Sequence, residues 1–211
     1  MPKKNSETTR ERILEAAECI YAAQGFHGMS LRDVTLMANV NLAAVNYHFG
    51  SKDKLVLALA ERRLTPINSH RIQRLADLRK KHGRQPIPAS DLVTALVDPV
   101  FVALRQNKKS RTILVRLVAQ MLIDDHKRFS QIHQIFYKDV IECYHEELKR
   151  SLPKLSTQQI HARFFCAFSS VLGLRLMANC MDWFMQSSAS SRQFDLLEKE
   201  ITSYLIGGLS A

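Results

Sequence analysis

Glycine and proline are scarce in this chain of 211 residues, at 7 and 6, and that scarcity argues against a turn-rich β architecture. Cysteine is scarcer. Cys19, Cys143, Cys166 and Cys180 lie far apart, form no CxxC pair and share no Cys/His spacing that resembles a zinc site, so they read as four reduced core residues of a cytoplasmic protein. Long apolar runs are also missing: the most apolar stretch, Phe164 to Met185, is broken by Arg175 and Asp182 and is too charged to span a membrane. The start, MPKKNSETTRER, lacks the apolar segment of an export signal. Neither a nucleophile motif, a phosphate loop nor a Rossmann fingerprint is present. Glu142 and His145 have metal-binding spacing, but a di-metal helical site needs a second such pair and further carboxylates facing it. Catalysis, a metal and a cofactor are therefore not expected.

What is present is an ordinary globular composition, 46% apolar and 24% charged, with a net charge of +10. Such a charge suits a polyanionic partner, but its location matters more than its sum. Residues 1–58 carry seven Lys/Arg against six Asp/Glu, whereas residues 59–82 carry seven against two, in the run Arg62, Arg63, Arg71, Arg74, Arg79, Lys80, Lys81. That run reads either as a polyanion contact or as a solvated helix face, and charge alone does not separate the two.

Apolar residues recur at helical spacing throughout, so the chain reads as all-α. A first helix is expected from Thr8 or Thr9, with the stripe Ile13, Leu14, Ala17, Ile20, Tyr21, stopping at Gly25. Ser30 caps a second that carries Leu31, Val34, Met37 and Ala38, Asn41 caps a short third from Leu42 to His48, and Ser51 caps a fourth with Leu55, Ala58 and Leu59 inward. Pro66 after Thr65 fits either a kink or a new helix that runs to about His82. A loop at GRQPIPA, Gly83 to Ala89, precedes helices expected near 91–107, 109–124, 128–151, 157–187 and 192–207.

Between Ser30 and Lys52, a two-turn capped helix, a three-residue turn Asn39-Val40-Asn41 and a second short capped helix make helix-turn-helix spacing. Asn39 is one of the few residue types besides glycine that tolerates a left-handed backbone. Val40 and Val45 would fill the angle between the helices, with Phe49 closing the small core. The same spacing would serve any αα-corner, including one that contacts a protein partner.

The residues themselves resemble a family. The opening R-x-x-I-L-x-A-A, the A-x-x-G-F before the second helix, S-L-R-D-V within it and Y-H-F-G-S-K before the fourth stand in order over Thr9 to Leu59. This stretch resembles the DNA-binding domain of TetR-family transcriptional regulators. Asn39 stands where the family usually has Gly, Thr35 where a small Ala is usual, and Asn46 where Tyr is most frequent. The phrase VNLAAVNYHFGSK is similar to a subgroup that includes PsrA-type regulators of fatty-acid metabolism.

The resemblance implies an N-terminal three-helix helix-turn-helix domain at 1–60, with the motif at about 31–50, and a C-terminal helical ligand-binding and dimerisation domain at 61–211. It implies a homodimeric, sequence-specific regulator, a repressor that leaves a (pseudo)palindromic double-stranded operator when a small apolar effector binds, a fatty acid or acyl-CoA in the subgroup. The third helix would present Leu42, Ala43 and Asn46 to base edges, with Asn41 at its start. Arg32 would meet guanine or phosphate, and Tyr47, His48 and Lys52 would grip phosphate. His48 as a packing residue and Tyr47 as a core aromatic are the structural alternatives. The helices Thr157 to Ser187 and Arg192 to Gly207 would form the dimer bundle. Effector contacts are expected from Phe136, Phe168, Leu172 and Arg175. Arg175 shares a face with Asn179 and Asp182 and could pair internally. Arg116, in a polar stripe with Thr112 and Gln120, reads as an exposed face instead.

Overall fold

The computed structural model describes residues 2–106, 108–123, 126–177 and 191–210, and their side chains except at 2–7, 108–109, 122–123, 126–129, 172, 174–177, 191–194 and 210. The described residues are helical with no strand: α1 (Pro2–Gly28), α2 (Leu31–Ala38), α3 (Leu42–Phe49), α4 (Lys52–His82), α5 (Ala89–Leu104), α6 (Lys108–Ile123), α7 (His126–Phe136), α8 (Lys138–Ser151), α9 (Thr157–Met177) and α10 (Ser191–Ser210). They divide into two compact units. One is Met1–Thr65 with Thr112–Gln134; the other is Pro66–Arg111 with Ile135–Ala211.

In the first unit, Ile13, Leu14, Ala17, Ile20 and Tyr21 of α1, Val34 and Ala38 of α2, Val45 and Phe49 of α3, and Leu55 and Leu59 of α4 are buried, as the helical spacing anticipates. Val115, Leu117 and Val118 of α6 are buried as well. α1 starts earlier than Thr8 and does not simply stop at Gly25. Gly25 takes φ 69°, ψ −172° and the helix resumes to Gly28. The positive φ calls for glycine there, whereas the space does not: a Cβ would meet only the end of the flexible Gln120 side chain. Met37 departs from the expected inner stripe: it is 58% exposed, and Leu36 beside it 79%. Met37 stands at the edge of that stripe, about 120° from Leu31, and α2 buries only 34 and 38. Arg116 is exposed, as expected.

The second unit pairs α5 with α8 and α10, α8 with α9, and α9 with α10. Its α5 is apolar on most of its surface, burying Leu92, Val93, Leu96, Val97, Val100, Phe101 and Leu104. Pro66 lies inside a continuous α4, so neither a helix start nor a break follows it. The helix expected at 128–151 is two helices, separated at the buried Tyr137 (φ −113°, ψ −18°). The cause is tertiary: Asn68 Nδ2 donates to Phe136 O at 2.6 Å, a carbonyl that an unbroken helix would bond four residues onward. Cys19, Cys143 and Cys166 are free, but Cys143 and Cys166 are exposed and Cys19 half-buried, which corrects the reading of them as core; Cys180 lies outside the described residues. The same holds for the expected helix beyond Met177, with Asn179 and Asp182. His145 is buried and Glu142 exposed, and no group of three or more His, Cys, Asp or Glu among the described residues could hold a metal ion.

Most of the basic run is neither a solvated face nor free for a polyanion. Arg63 makes a two-pronged pair with Glu18, itself 3% exposed, and this bond holds the guanidinium in its charged form. Arg62 pairs with Glu11 and Glu15. Arg71, 1% exposed, donates from Nε to Leu96 O at 3.0 Å and from Nη1 to Asn68 Oδ1 at 3.1 Å, 5.6 Å from the Phe168 ring centre. Arg74 pairs with Asp98 and Arg79 with Glu147, while Arg79 Nη1 bonds Gly83 O and Gln85 O at 3.2 Å each and closes the loop after α4.

Candidate nucleic-acid interface

Local chemistry sets both short helices. The Ser30 hydroxyl accepts from Asp33 N at 3.1 Å and donates to the Asp33 carboxylate at 2.7 Å, starting α2 with an acid in its first turn. The chain then reverses through Asn39, left-handed at φ 50°, ψ 55°. Asn41 Oδ1 accepts from Ala44 N at 2.8 Å and starts α3, which ends where Gly50 (φ 75°) donates to Asn46 O. Ser51 Oγ accepts from Lys54 N at 3.2 Å and starts α4. These caps stand where the sequence puts them.

Burial then sorts the side chains of α3. Val45 and Phe49, one turn apart, are 1% and 7% exposed. Tyr47, on the opposite face, is 82% exposed, and Ala43 and Asn46 are exposed between the two faces; Leu42, in the first turn on the Val45 side, is 46% exposed. Spacings of three and four residues make 42, 43, 46 and 47 one stripe. Tyr47 is therefore no core aromatic. His48 is half-buried, edge-on to Tyr47 at 5.1 Å and tilted against Phe49 at 6.2 Å, so it packs as well as faces outward. Arg32 is exposed on α2. The Asn41 side chain is exposed too, but its oxygen is committed to the cap, which leaves only its amide hydrogens to offer.

Lys52 is half-buried, with Nζ 4.3 Å from the centre of the Phe26 ring, an aromatic face that orients a cation at the start of α4. Lys54, which the sequence reading passed over, is exposed in the same turn. Its signal was present in the Ser-Lys-Asp-Lys start of α4. Such an edge, with cations flanking a rigid stripe that mixes an amide, an aromatic hydroxyl and small apolar groups, has the donors and shape to meet phosphates and base edges in a major groove.

The expected effector residues are less gathered. Phe168 is 7% exposed, 6.0 Å from Phe164 in a stacked arrangement and edge-on to Tyr137 at 5.2 Å. Phe136 is half-buried, and the side chains of Leu172 and Arg175 lie outside the described residues. A surface cleft of about 440 Å³ in the same unit has Glu142, Glu146 and Glu147 among its lining, a poor match for an acidic ligand.

Comparison with known proteins gives a consistent picture. A family model described as "Bacterial regulatory proteins, tetR family" matches residues 13–59, and one described as "Tetracyclin repressor-like, C-terminal domain" matches residues 94–208. The HTH-type transcriptional repressor NicS of Pseudomonas putida is 33% identical over 58 residues, 28% of this chain and 27% of that one. The HTH-type transcriptional regulator TtgR of the same species is 36% identical over 59 residues, 28% of each chain. The chain thus spans little more than a quarter of the length of these curated relatives. Among solved structures, the hemolysin II regulator HlyIIR superposes with a TM-score of 0.61 at 17% identity, covering 98% of this chain and 99% of that one. A structure titled "Clostridium perfringens putative fatty acid metabolism regulator" gives 0.63 at 18%, covering 93% and 97%. Likeness at these identities speaks for the fold.

Proposed function

The chain belongs to the TetR family of bacterial regulatory proteins, with matches to both its N-terminal and its C-terminal domains, and from that premise we propose that it is a homodimeric repressor that reads a (pseudo)palindromic operator with α3. The observation that carries this reading is the outward stripe Leu42, Ala43, Asn46, Tyr47 on a helix capped at both ends and seated on Val45 and Phe49. In it Asn46 bonds a base edge, Leu42 and Ala43 meet thymine methyls, and Arg32, Tyr47, His48 and Lys52 hold phosphate, with Asn41 donating from its amide. Residues 1–60 act as the DNA-binding part and 61–211 as the dimerisation and effector part.

One short recognition helix reads a half-site, so a second subunit is needed. Phe165 on α9 and Tyr204 on α10 are each 71% exposed and Leu196 on α10 is 48%, exposed apolar side chains that favour a partner on these helices. Sedimentation equilibrium is expected to give about twice 24.1 kDa, and F165E with Y204E a monomer. For the effector we propose a small apolar acid of the fatty-acid or acyl-CoA class, on the strength of the VNLAAVNYHFGSK phrase and of the aromatic residues Phe136 and Phe168, with Leu172 and Arg175 as further contacts. Such a ligand releases the operator only by binding better to the conformation that fits DNA worse. A gel shift tests the whole reading: a duplex enriched by the protein from a randomised pool should bind tightly, lose affinity steeply with salt and be released by an added acyl chain. Failure to enrich any sequence refutes the operator reading; failure of acyl chains alone refutes only the effector class.

A further inference from the structure

Asn39 has the only positive φ outside glycine among the described residues. Asparagine tolerates this conformation less cheaply than glycine does, so something must hold the turn in place. Part of the hold is local. Asn39 N donates to Leu36 O at 3.2 Å and Val40 N to Thr35 O at 3.0 Å, the paired bonds of a Schellman ending. Those bonds use the carbonyls of residues 35 and 36. Nearer the tip, the carbonyls of Ala38 and Asn39 have no donor within the helix, as at any helix C-terminus.

Both are taken from a distance. Arg12 of α1 donates from Nη2 to Ala38 O at 2.5 Å and to Asn39 O at 2.7 Å, bonds that cross 26 and 27 residues of chain. A cation there also complements the negative end of α2. We infer that Arg12 is a positioning residue for base reading: it pins the non-glycine turn and so fixes the angle at which α3 presents Ala43 and Asn46. This inference rests on the reading of α3 as the recognition helix.

The lever arm makes the angle matter. Asn46 lies five residues beyond the α3 cap at Asn41, about 7.5 Å along the helix axis, so a rotation of roughly 10° at the turn swings it by about 1.3 Å. A bidentate bond to a base does not survive such a shift. A lysine on a flexible stem follows a phosphate through it. Arg12 is exposed and its bond to Asn39 O lies at the surface, so its removal buries no unpaired charge and opens the Asn39 carbonyl to water. Loss of the clamp therefore affects discrimination more than stability.

The test uses the full-length protein, the duplex that the wild type enriches from a randomised pool, and a scrambled duplex of the same length. Arg12→Ala is expected to lose about tenfold in the ratio of the two affinities, with scrambled binding within about twofold of wild type and a cooperative melt close to wild type. Arg12→Lys, which keeps a cationic donor, restores most of the ratio, and Arg12→Gln does not. An unchanged ratio in Arg12→Ala overturns the inference, and so does a parallel fall on both duplexes, which would make Arg12 a phosphate contact itself. If Arg12→Ala does not fold, the Lys and Gln variants decide: equal ratios overturn the inference, and a ratio kept by Lys but lost by Gln supports it. A wild type that enriches no duplex refutes the operator reading and this inference together. A discriminating wild type with an indifferent Arg12 refutes only the latter.

Discussion

Two regions of this chain use their cations in opposite ways. Between Arg32 and Lys54 the polar side chains bond mainly within their own turns, through the Ser30, Asn41 and Ser51 caps, and the outer faces of Arg32, Asn46, Tyr47 and Lys54 are left to solvent. Between Arg62 and Arg79 the guanidinium groups are spent mainly on distant partners: Glu18, Asp98, Glu147 and the carbonyl of Leu96. The richer concentration of charge in the sequence is thus the less available one. A basic run in the sequence does not by itself predict a polyanion contact, because partners far along the chain can take its cations.

That contrast can be broken most forcefully at Arg71. Arg71→Ala leaves a cavity and strands the acceptors at Leu96 O and Asn68 Oδ1, so it is expected to destabilise the protein by about 3 kcal/mol in urea denaturation. A loss near zero would mean that the inward arginines are dispensable. Asn46→Ala tests the other side. It should cost roughly 1 to 3 kcal/mol per half-site in binding the enriched duplex while leaving scrambled binding and the melting temperature nearly unchanged. Retained discrimination would transfer base reading to Arg32, to Leu42 and Ala43, or to DNA shape.

A smaller effect concerns acid. His145 is 7% exposed and stacked on His161 at 3.9 Å. Burial first, then His161 and Lys149, push its pKa below the ordinary 6.5, against a weaker opposing pull from Glu146. Above pH 6.5 the ring is neutral folded or unfolded, and stability is at its full value. As pH falls from there toward the lowered folded pKa, only the unfolded chain takes the proton, so stability declines. The melting temperature should drop between pH 7.5 and 5.5, and His145→Gln should flatten that drop. An equal drop in the variant would assign it to other groups.

What could be read from the sequence follows the same division. The caps at Ser30, Asn41 and Ser51, the left-handed Asn39 and the seating of Val45 and Phe49 are written in neighbours no more than four residues apart, and the structure has each of them. The break at Tyr137 depends on Asn68, 68 residues from Phe136, and no local pattern announces it. The acidic partners of Arg63 and Arg79 are 45 and 68 residues away, so spacing along α4 could not reveal that these charges turn inward. Residue type alone points Cys143 and Cys166 to the core, but helix phase puts them outside.

The most direct test of the central division of labour is the slope of log affinity against log salt for the enriched duplex. Two double variants are compared with the wild type, Lys52→Gln with Lys54→Gln, and Lys80→Gln with Lys81→Gln, the last pair being exposed members of the basic run. The first pair should lower the slope by about two phosphate contacts per subunit, and the second should leave it unchanged. A slope that falls for Lys80 and Lys81 but holds for Lys52 and Lys54 would contradict the assignment and move the DNA contact to the end of α4.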